Sequence, residues 1–268
     1  MDTIINDKDF ELLHQDKYTF LVLDRILRNT TDLILTDHQN MIICHSNAAY
    51  PVWIWTRNNC PETVKEEVWK LICKHRPLDK GFKFNIKYEL ADYFIEKAEQ
   101  SGFHSEISMG LFVYDCQSAV KPEKPADGKL YCCTPEDMEE AVSLVSAFYP
   151  ETGQEKPSYE HCLEVAQKHI DDKALFFWKN DEGITTSCCY YNRDPELSSI
   201  SGVYTKPEYR RKHYAQHLVH EVTEIIQAQG STPMLYTDAD YAASNACYTK
   251  IGYTLRGRLC TVAATSQG

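Results

Sequence analysis

Long apolar runs are missing from this 268-residue chain: no stretch approaches the ~18–20 residues that span a bilayer. The start, Met1-Asp-Thr-Ile-Ile-Asn-Asp7, lacks the basic and apolar segments of a secretory leader. The expected location is therefore the cytoplasm, with no membrane partner. A basic surface is also missing. With 28 Lys and Arg against 39 Asp and Glu, the net charge is −11, which speaks against general nucleic-acid binding. The eleven cysteines include no Cys-x-x-Cys pair; Cys132–Cys133 and Cys188–Cys189 are adjacent pairs in strand-like stretches. Without a secretory context disulfides are disfavoured, and such residues act as small hydrophobes in a core. No metal is expected.

What is present is an ordinary globular composition with 43% hydrophobic and 25% charged residues. At this length one or two domains are expected. Between Gln117 and Lys129 the run Ala119-Val-Lys-Pro-Glu-Lys-Pro-Ala-Asp-Gly128 marks a linker. It divides the chain into an N-terminal α/β domain, 1–127, and a C-terminal domain, 128–268. In the first, the pattern predicts a helix over 18–28, a hairpin with arms at 33–36 and 41–44, and a strand at 50–56. A helix starting at Pro61, a short strand near 82–85, a helix over 88–100 and a strand over 106–116 follow. Trp53 and Trp55 are expected in the core. The second domain starts with a strand at 130–133 and a helix capped by Thr134 with Pro135 at its first position. A helix over 158–171, three strands (174–179, 184–191, 197–204), a helix from 214, a strand at 234–237, a helix over 244–250 and final strands around 253–262 complete it.

The most informative stretch is Gly202-Val-Tyr-Thr-Lys-Pro-Glu-Tyr-Arg-Arg-Lys-His-Tyr-Ala-Gln216. It reads as a strand end, a proline loop, a cationic turn and a helix start. Tyr214, Ala215, Leu218, Val219, Val222, Ile225 and Ile226 then follow one helical face. A helix's first turn offers unpartnered N–H groups and the positive end of the macrodipole. Arg210, Arg211 and Lys212 add three charges there, so a phosphate-bearing ligand fits.

Val203-x-Thr205-x-Pro207-x-x-Arg210-x-x-His213-x-Ala215 resembles the acetyl-CoA signature of the GNAT superfamily of N-acetyltransferases, Gln/Arg-x-x-Gly-x-Gly/Ala. Arg210 and Ala215 match, whereas the first glycine is His213 here. Ser244-Asn245-x-x-Tyr248-x-x-x-Gly252-Tyr253 resembles a second family feature. The order of elements over roughly 129–265 is similar to the GNAT fold; the first half echoes only its end and has no phosphate-binding turn. The resemblance implies a mixed α/β (α+β) architecture with a mostly antiparallel central sheet flanked by helices, preceded by a smaller α/β domain. It also implies acetyl-CoA as co-substrate and direct attack by a primary amine. The pantetheine arm would lie along the backbone of Val203, Tyr204 and Thr205. The pyrophosphate would lie on the N–H groups of Arg211, Lys212, His213, Tyr214, Ala215 and Gln216, with charge from Arg210 to Lys212. Asn245 would bond the cofactor and Tyr248 would protonate the departing thiolate, a phenol having a suitable pKa for that exchange. Cys247 reads as a structural thiol.

The family's usual carboxylate base has no counterpart in Ser198-Ser-Ile-Ser-Gly-Val-Tyr204. Asp238 and Asp240 are candidates, and the base stays unassigned. Two rival readings share the fold: a non-catalytic acyl-CoA-binding or sensory protein, and a scaffold that uses no cofactor. The N-terminal domain is expected to shape the acceptor pocket or a homodimer.

Overall fold

The computed structural model describes residues 1–265 apart from 49, 182, 184, 193 and 194, and of residues 185–190 the backbone only. The chain divides into two compact units, Met1–Val113 with Arg256–Gly268, and Tyr114–Leu255.

The first unit opens with α1 (Asp7–His14) and α2 (Leu21–Leu27). Asn6 caps α1 through a reciprocal capping box with Asp9. Then come β1 (Leu33–Thr36), β2 (Met41–His45) and β3 (Val52–Thr56). These pair antiparallel in sequence, Leu33 opposite His45 and Met41 opposite Thr56, so the expected hairpin forms. Helix α3 (Glu62–His75) crosses over to β4 (Phe84–Ile86), which runs parallel to β3. Pro61 stands at the N-cap, one position before its expected place. Helix α4 (Tyr88–Gln100) has the expected bounds, and β5 (Ser105–Asp115) follows. Trp53 and Trp55 are buried as expected; the Trp55 indole donates to Asp16 at 2.8 Å, and the Lys87 ammonium meets the same carboxylate at 2.7 Å.

The second unit starts with a strap, residues 116–128, that is firmly tied down. The Cys116 amide bonds Pro233 O and that of Val120 bonds Ile251 O. The indole of Trp178 donates to Asp127 O, and Gly128 has φ +95° at a point where a Cβ would overlap the Lys179 carbonyl. The expected linker is thus an ordered band. Strand β6 (Lys129–Cys132), a one-turn 3-10 segment capped by Thr134, α5 (Met138–Glu151) and α6 (Tyr159–Asp171) follow. Next are β7 (Leu175–Lys179), β8 (Thr185–Asn192), β9 (Leu197–Thr205), α7 (Tyr214–Ala228), β10 (Thr232–Asp238) and α8 (Ala242–Ile251). The sheet order is β10-β9-β8-β7-β6. All neighbours are antiparallel except β9 and β10, which run parallel and are joined by α7 as the crossover helix. On α7 the buried face is Tyr214, Leu218, Val219, Val222 and Ile226, with His220 and Thr223 added; Ala215 and Ile225 are half-buried.

The last strand, β11 (Thr254–Ala264), pairs antiparallel with β4 and lies between β4 and β5, giving the first unit the order β1-β2-β3-β4-β11-β5. The mixed, mostly antiparallel sheet with flanking helices agrees with the expected fold class. Among the described residues no two cysteines form a disulfide, and most of them are buried. The Cys188 and Cys189 side chains fall outside the description.

Candidate functional site

Strands β9 and β10 are parallel neighbours, with Ile200 beside Leu235, so both finish at the same edge of their sheet. Each leads through a short loop into a helix. The N-termini of α7 and α8, each carrying the positive end of a helix dipole, therefore follow the carboxyl ends of adjacent parallel strands. The parallel register covers only Leu197–Ile200 of a strand that continues to Thr205.

The loop after β9 is a built structure. Pro207–Tyr209 make a 3-10 turn, closed by the Tyr209 amide on Lys206 O at 2.9 Å. Arg210 is extended, then Arg211 and His213 both take φ +66°. The left-handed region costs an L-residue with a Cβ about 1–2 kcal/mol, and such strain gathers where backbone groups must point in a set direction. His213 is the N-cap of α7 but its side chain caps nothing. Among the described residues, no protein acceptor meets the backbone N–H groups of residues 211–216; the first engaged amide is that of His217, on His213 O at 3.1 Å. Six successive donors in a left-handed turn and a helix start have the arrangement that suits an anion.

Of the three cations of the turn, Arg211 and Lys212 are exposed, the Lys212 ammonium lying 5.3 Å from the Tyr209 ring centroid. Arg210 is engaged instead. Its Nε donates to Thr205 O at 3.0 Å, its Nη2 meets Glu151 Oε1 at 2.9 Å, and its guanidinium faces the Tyr204 ring at 5.8 Å. Lys206 in turn meets Glu140 at 2.7 Å. The α7 start is anchored by the strap: the Tyr214 hydroxyl donates to Asp127 at 2.6 Å, and that bond, with burial, pushes the phenol up to about 12. One turn later His217 Nε2 donates to Lys124 O at 2.8 Å. Nothing local in the sequence announces Glu151, Glu140 or Asp127, because each meets its partner across dozens of residues.

After β10, the Asn245 amide donates to Asp238 O at 3.0 Å and Ala239 O at 3.1 Å, closing the loop at the strand end. Its Oδ1 is buried and has no partner, so one acceptor stays available beside the α8 start. Tyr248, one turn on, is 7% exposed and packs edge-to-face on Tyr253 at 6.0 Å. Burial pushes the Cys247 thiol up to about 11, which keeps it protonated at neutral pH and fits the structural role. Asp238 Oδ1 accepts from the Asp240 amide at 2.9 Å and so caps its own loop.

A groove of about 570 Å³ lies on a different part of α7, lined by the strap and by His217, His220, Glu221 and Glu224. It includes none of the residues 203–216. Burial raises the Glu221 carboxyl within it. Among the described residues no group of His, Cys, Asp and Glu could hold a metal ion, and no helix is long and apolar enough to cross a membrane.

Residues 185–262 match the family model described as FR47-like protein. Among solved structures the chain is similar to a GCN5-related N-acetyltransferase from Sphaerobacter thermophilus, with TM-score 0.67 and 14% identity over 90% of this chain and 85% of that one. The fold is that of the GNAT acetyltransferases. A GNAT-family acetyltransferase from Colwellia psychrerythraea gives TM-score 0.60 at 10% identity over 99% of both chains. A GCN5-related N-acetyltransferase from Kribbella flavida gives 0.63 at 12% over 93% and 95%. No curated protein matches the sequence. In this GNAT fold the matched segment 185–262 contains β9, the turn and both helix starts.

Proposed function

We propose that this chain is an N-acetyltransferase that moves an acetyl group from acetyl-CoA to a primary amine by direct attack. The observation that carries the reading is the run of six backbone donors without protein acceptors over 211–216, at the carboxyl end of a parallel strand. Those donors and the exposed Arg211 and Lys212 suit a pyrophosphate. Val203, Tyr204 and Thr205 would align the pantetheine arm by main-chain contacts, and the orphaned Asn245 Oδ1 would accept from an amide of that arm. These residues fit the co-substrate, which supplies an activated thioester. Holding it against the amine is the larger part of the work. Tyr248, buried on α8, donates its hydroxyl proton to the departing sulfur. An attacking alkylamine, with a pKa of ~10, must first lose a proton. With Asp238 engaged in its loop, water is the immediate acceptor, and no side chain is assigned as base. The first unit, Met1–Val113 with Arg256–Gly268, is proposed to select the acceptor or to form a homodimer, and the second, Tyr114–Leu255, to bind the cofactor.

The test is steady release of free CoA in the presence of a panel of amines. Tyr248→Phe removes the proton donor while keeping the ring; kcat should fall roughly 10²-fold, with KM for acetyl-CoA little changed. An unchanged kcat would strip Tyr248 of its role.

One rival keeps its own support. The strand residues 198–204 carry no carboxylate and Asp238 caps its loop, which favours a non-catalytic acyl-CoA-binding protein. Acetyl-CoA binding without CoA release across the amine panel would decide for it.

A further inference from the structure

Resting on the cofactor reading above, we propose that Glu151 is a positioning residue for the phosphate turn, acting through Arg210. Arg210 then holds the shape of the turn and leaves the phosphate to the amides and to Arg211 and Lys212.

The geometry makes this division of labour. A guanidinium is a planar fork with donors in fixed directions. In Arg210 one prong closes onto Thr205 O, the last residue of β9, and another closes onto Glu151 at the end of α5. The loop between strand and helix is thus tied to α5 at its far end by Arg210 and at its near end by Lys206 on Glu140. Glu140 and Glu151 are eleven residues apart on one helix, about 16 Å along its axis. Between the Arg210 anchor and the first turn of α7 lie the two left-handed residues, Arg211 and His213. Their conformation is unfavourable for residues with a Cβ, so it persists only where the neighbouring chain fixes it. Arg210 is the residue immediately before them.

Simple electrostatics predicts the opposite sign for Glu151. A carboxylate beside a site for a multiply charged anion repels it, and removing that charge should tighten binding. If Glu151 instead fixes the turn, its removal releases Arg210, the donors lose their common direction and binding weakens. The pair is part-exposed, so it contributes little to folding. The effect belongs in ligand affinity.

The experiment is titration calorimetry of acetyl-CoA and of inorganic pyrophosphate against the full-length wild type, Glu151→Ala, Glu151→Gln and Arg210→Lys, with a ligand-free melt of each. Glu151→Ala should weaken both ligands roughly tenfold, the factor that 1.4 kcal/mol represents, while its ligand-free melt stays within ~2 °C of wild type. Glu151→Gln keeps an acceptor for Arg210 and should recover most of the loss. Arg210→Lys keeps the charge but cannot grip Thr205 and Glu151 together, so it should behave like Glu151→Ala. If Glu151→Ala does not melt cooperatively, Arg210→Lys carries the comparison. Equal or tighter binding by Glu151→Ala, or full affinity in Arg210→Lys, overturns the positioning role and leaves the cofactor site standing. A wild type that binds neither ligand overturns the cofactor reading, and the role of Glu151 with it.

Discussion

Replacing His213 by glycine should make the ligand-free protein more stable, although it deletes a whole imidazole. His213 sits at φ +66°, ψ 6° as the N-cap of α7, and its ring makes no capping bond there. The left-handed conformation costs a residue with a Cβ about 1–2 kcal/mol. Glycine removes that cost and is an accepted N-cap, but it adds about 0.5–1 kcal/mol of chain entropy to be lost on folding. The net expectation is a gain of about 0.5–1 kcal/mol. For a unit of 142 residues, Tyr114 to Leu255 (255 − 114 + 1), that is a rise in Tm of about 1–4 °C. His213→Ala is the control: it loses the ring but keeps the Cβ, so it should gain nothing. Calorimetry on the three proteins reads the difference directly. A lower Tm for glycine than for alanine would refute the reasoning, because residue 213 would then not be left-handed in the folded protein. Adding acetyl-CoA extends the test. Without the Cβ the ligand can approach the 213–214 backbone more closely, so affinity should rise a few-fold; a fall would mean that the imidazole itself touches the ligand.

Other expectations follow from single features. Gly252→Ala should cost about 2–3 kcal/mol, since φ is +100° and the new Cβ would stand 2.6 Å from Ser118 O; a urea midpoint unchanged from wild type would contradict it. His38 bridges Asp2 at 3.0 Å and Asp9 at 2.8 Å, and hydrogen bonds to these two carboxylates raise its pKa above the usual value. The folded pKa exceeds the unfolded one, so the stabilisation is complete below pH ~6.5 and is lost as pH rises through the folded value. His38→Asn tolerates the left-handed backbone at φ +56° and should flatten the dependence of Tm on pH above ~6.5; an equally steep dependence in the variant would assign the titration elsewhere.

The parts of the molecule that could be read in the sequence are those whose causes are local. Helix α4 emerged with its bounds because thirteen residues carry one apolar face. Helix α7 emerged from its apolar face in the same way, whereas α8 carries little of one and was legible only through its resemblance to a family feature. Helix α1 went unread although Asn6 and Asp9 hold the spacing of a capping box; the run after them is short and its apolar face weak. Pairings between distant segments leave no local mark. Strand β11 joins the sheet of the first unit, beside β4, some 170 residues away in sequence (260 − 86 = 174). Only the fold brings it there. The same holds inside the site. Arg210 reads as a free cation for a phosphate until Glu151 and Thr205 appear beside it, and Asn245 reads as a ligand contact until its amide is seen closing the 238–239 loop. The left-handed backbone at 213 is a conformation that glycine adopts without the cost of a Cβ, which the sequence alone does not disclose at a histidine.

The most direct test of the central claim is a thermal melt of the wild type with and without saturating acetyl-CoA. Ligand at 100 times its dissociation constant stabilises the folded state by ~2.7 kcal/mol, or about 5–10 °C for a unit of this size. The account predicts such a shift, and predicts that it shrinks when Arg211 and Lys212 are both changed to alanine. A wild type whose melt does not move at saturating acetyl-CoA would contradict it.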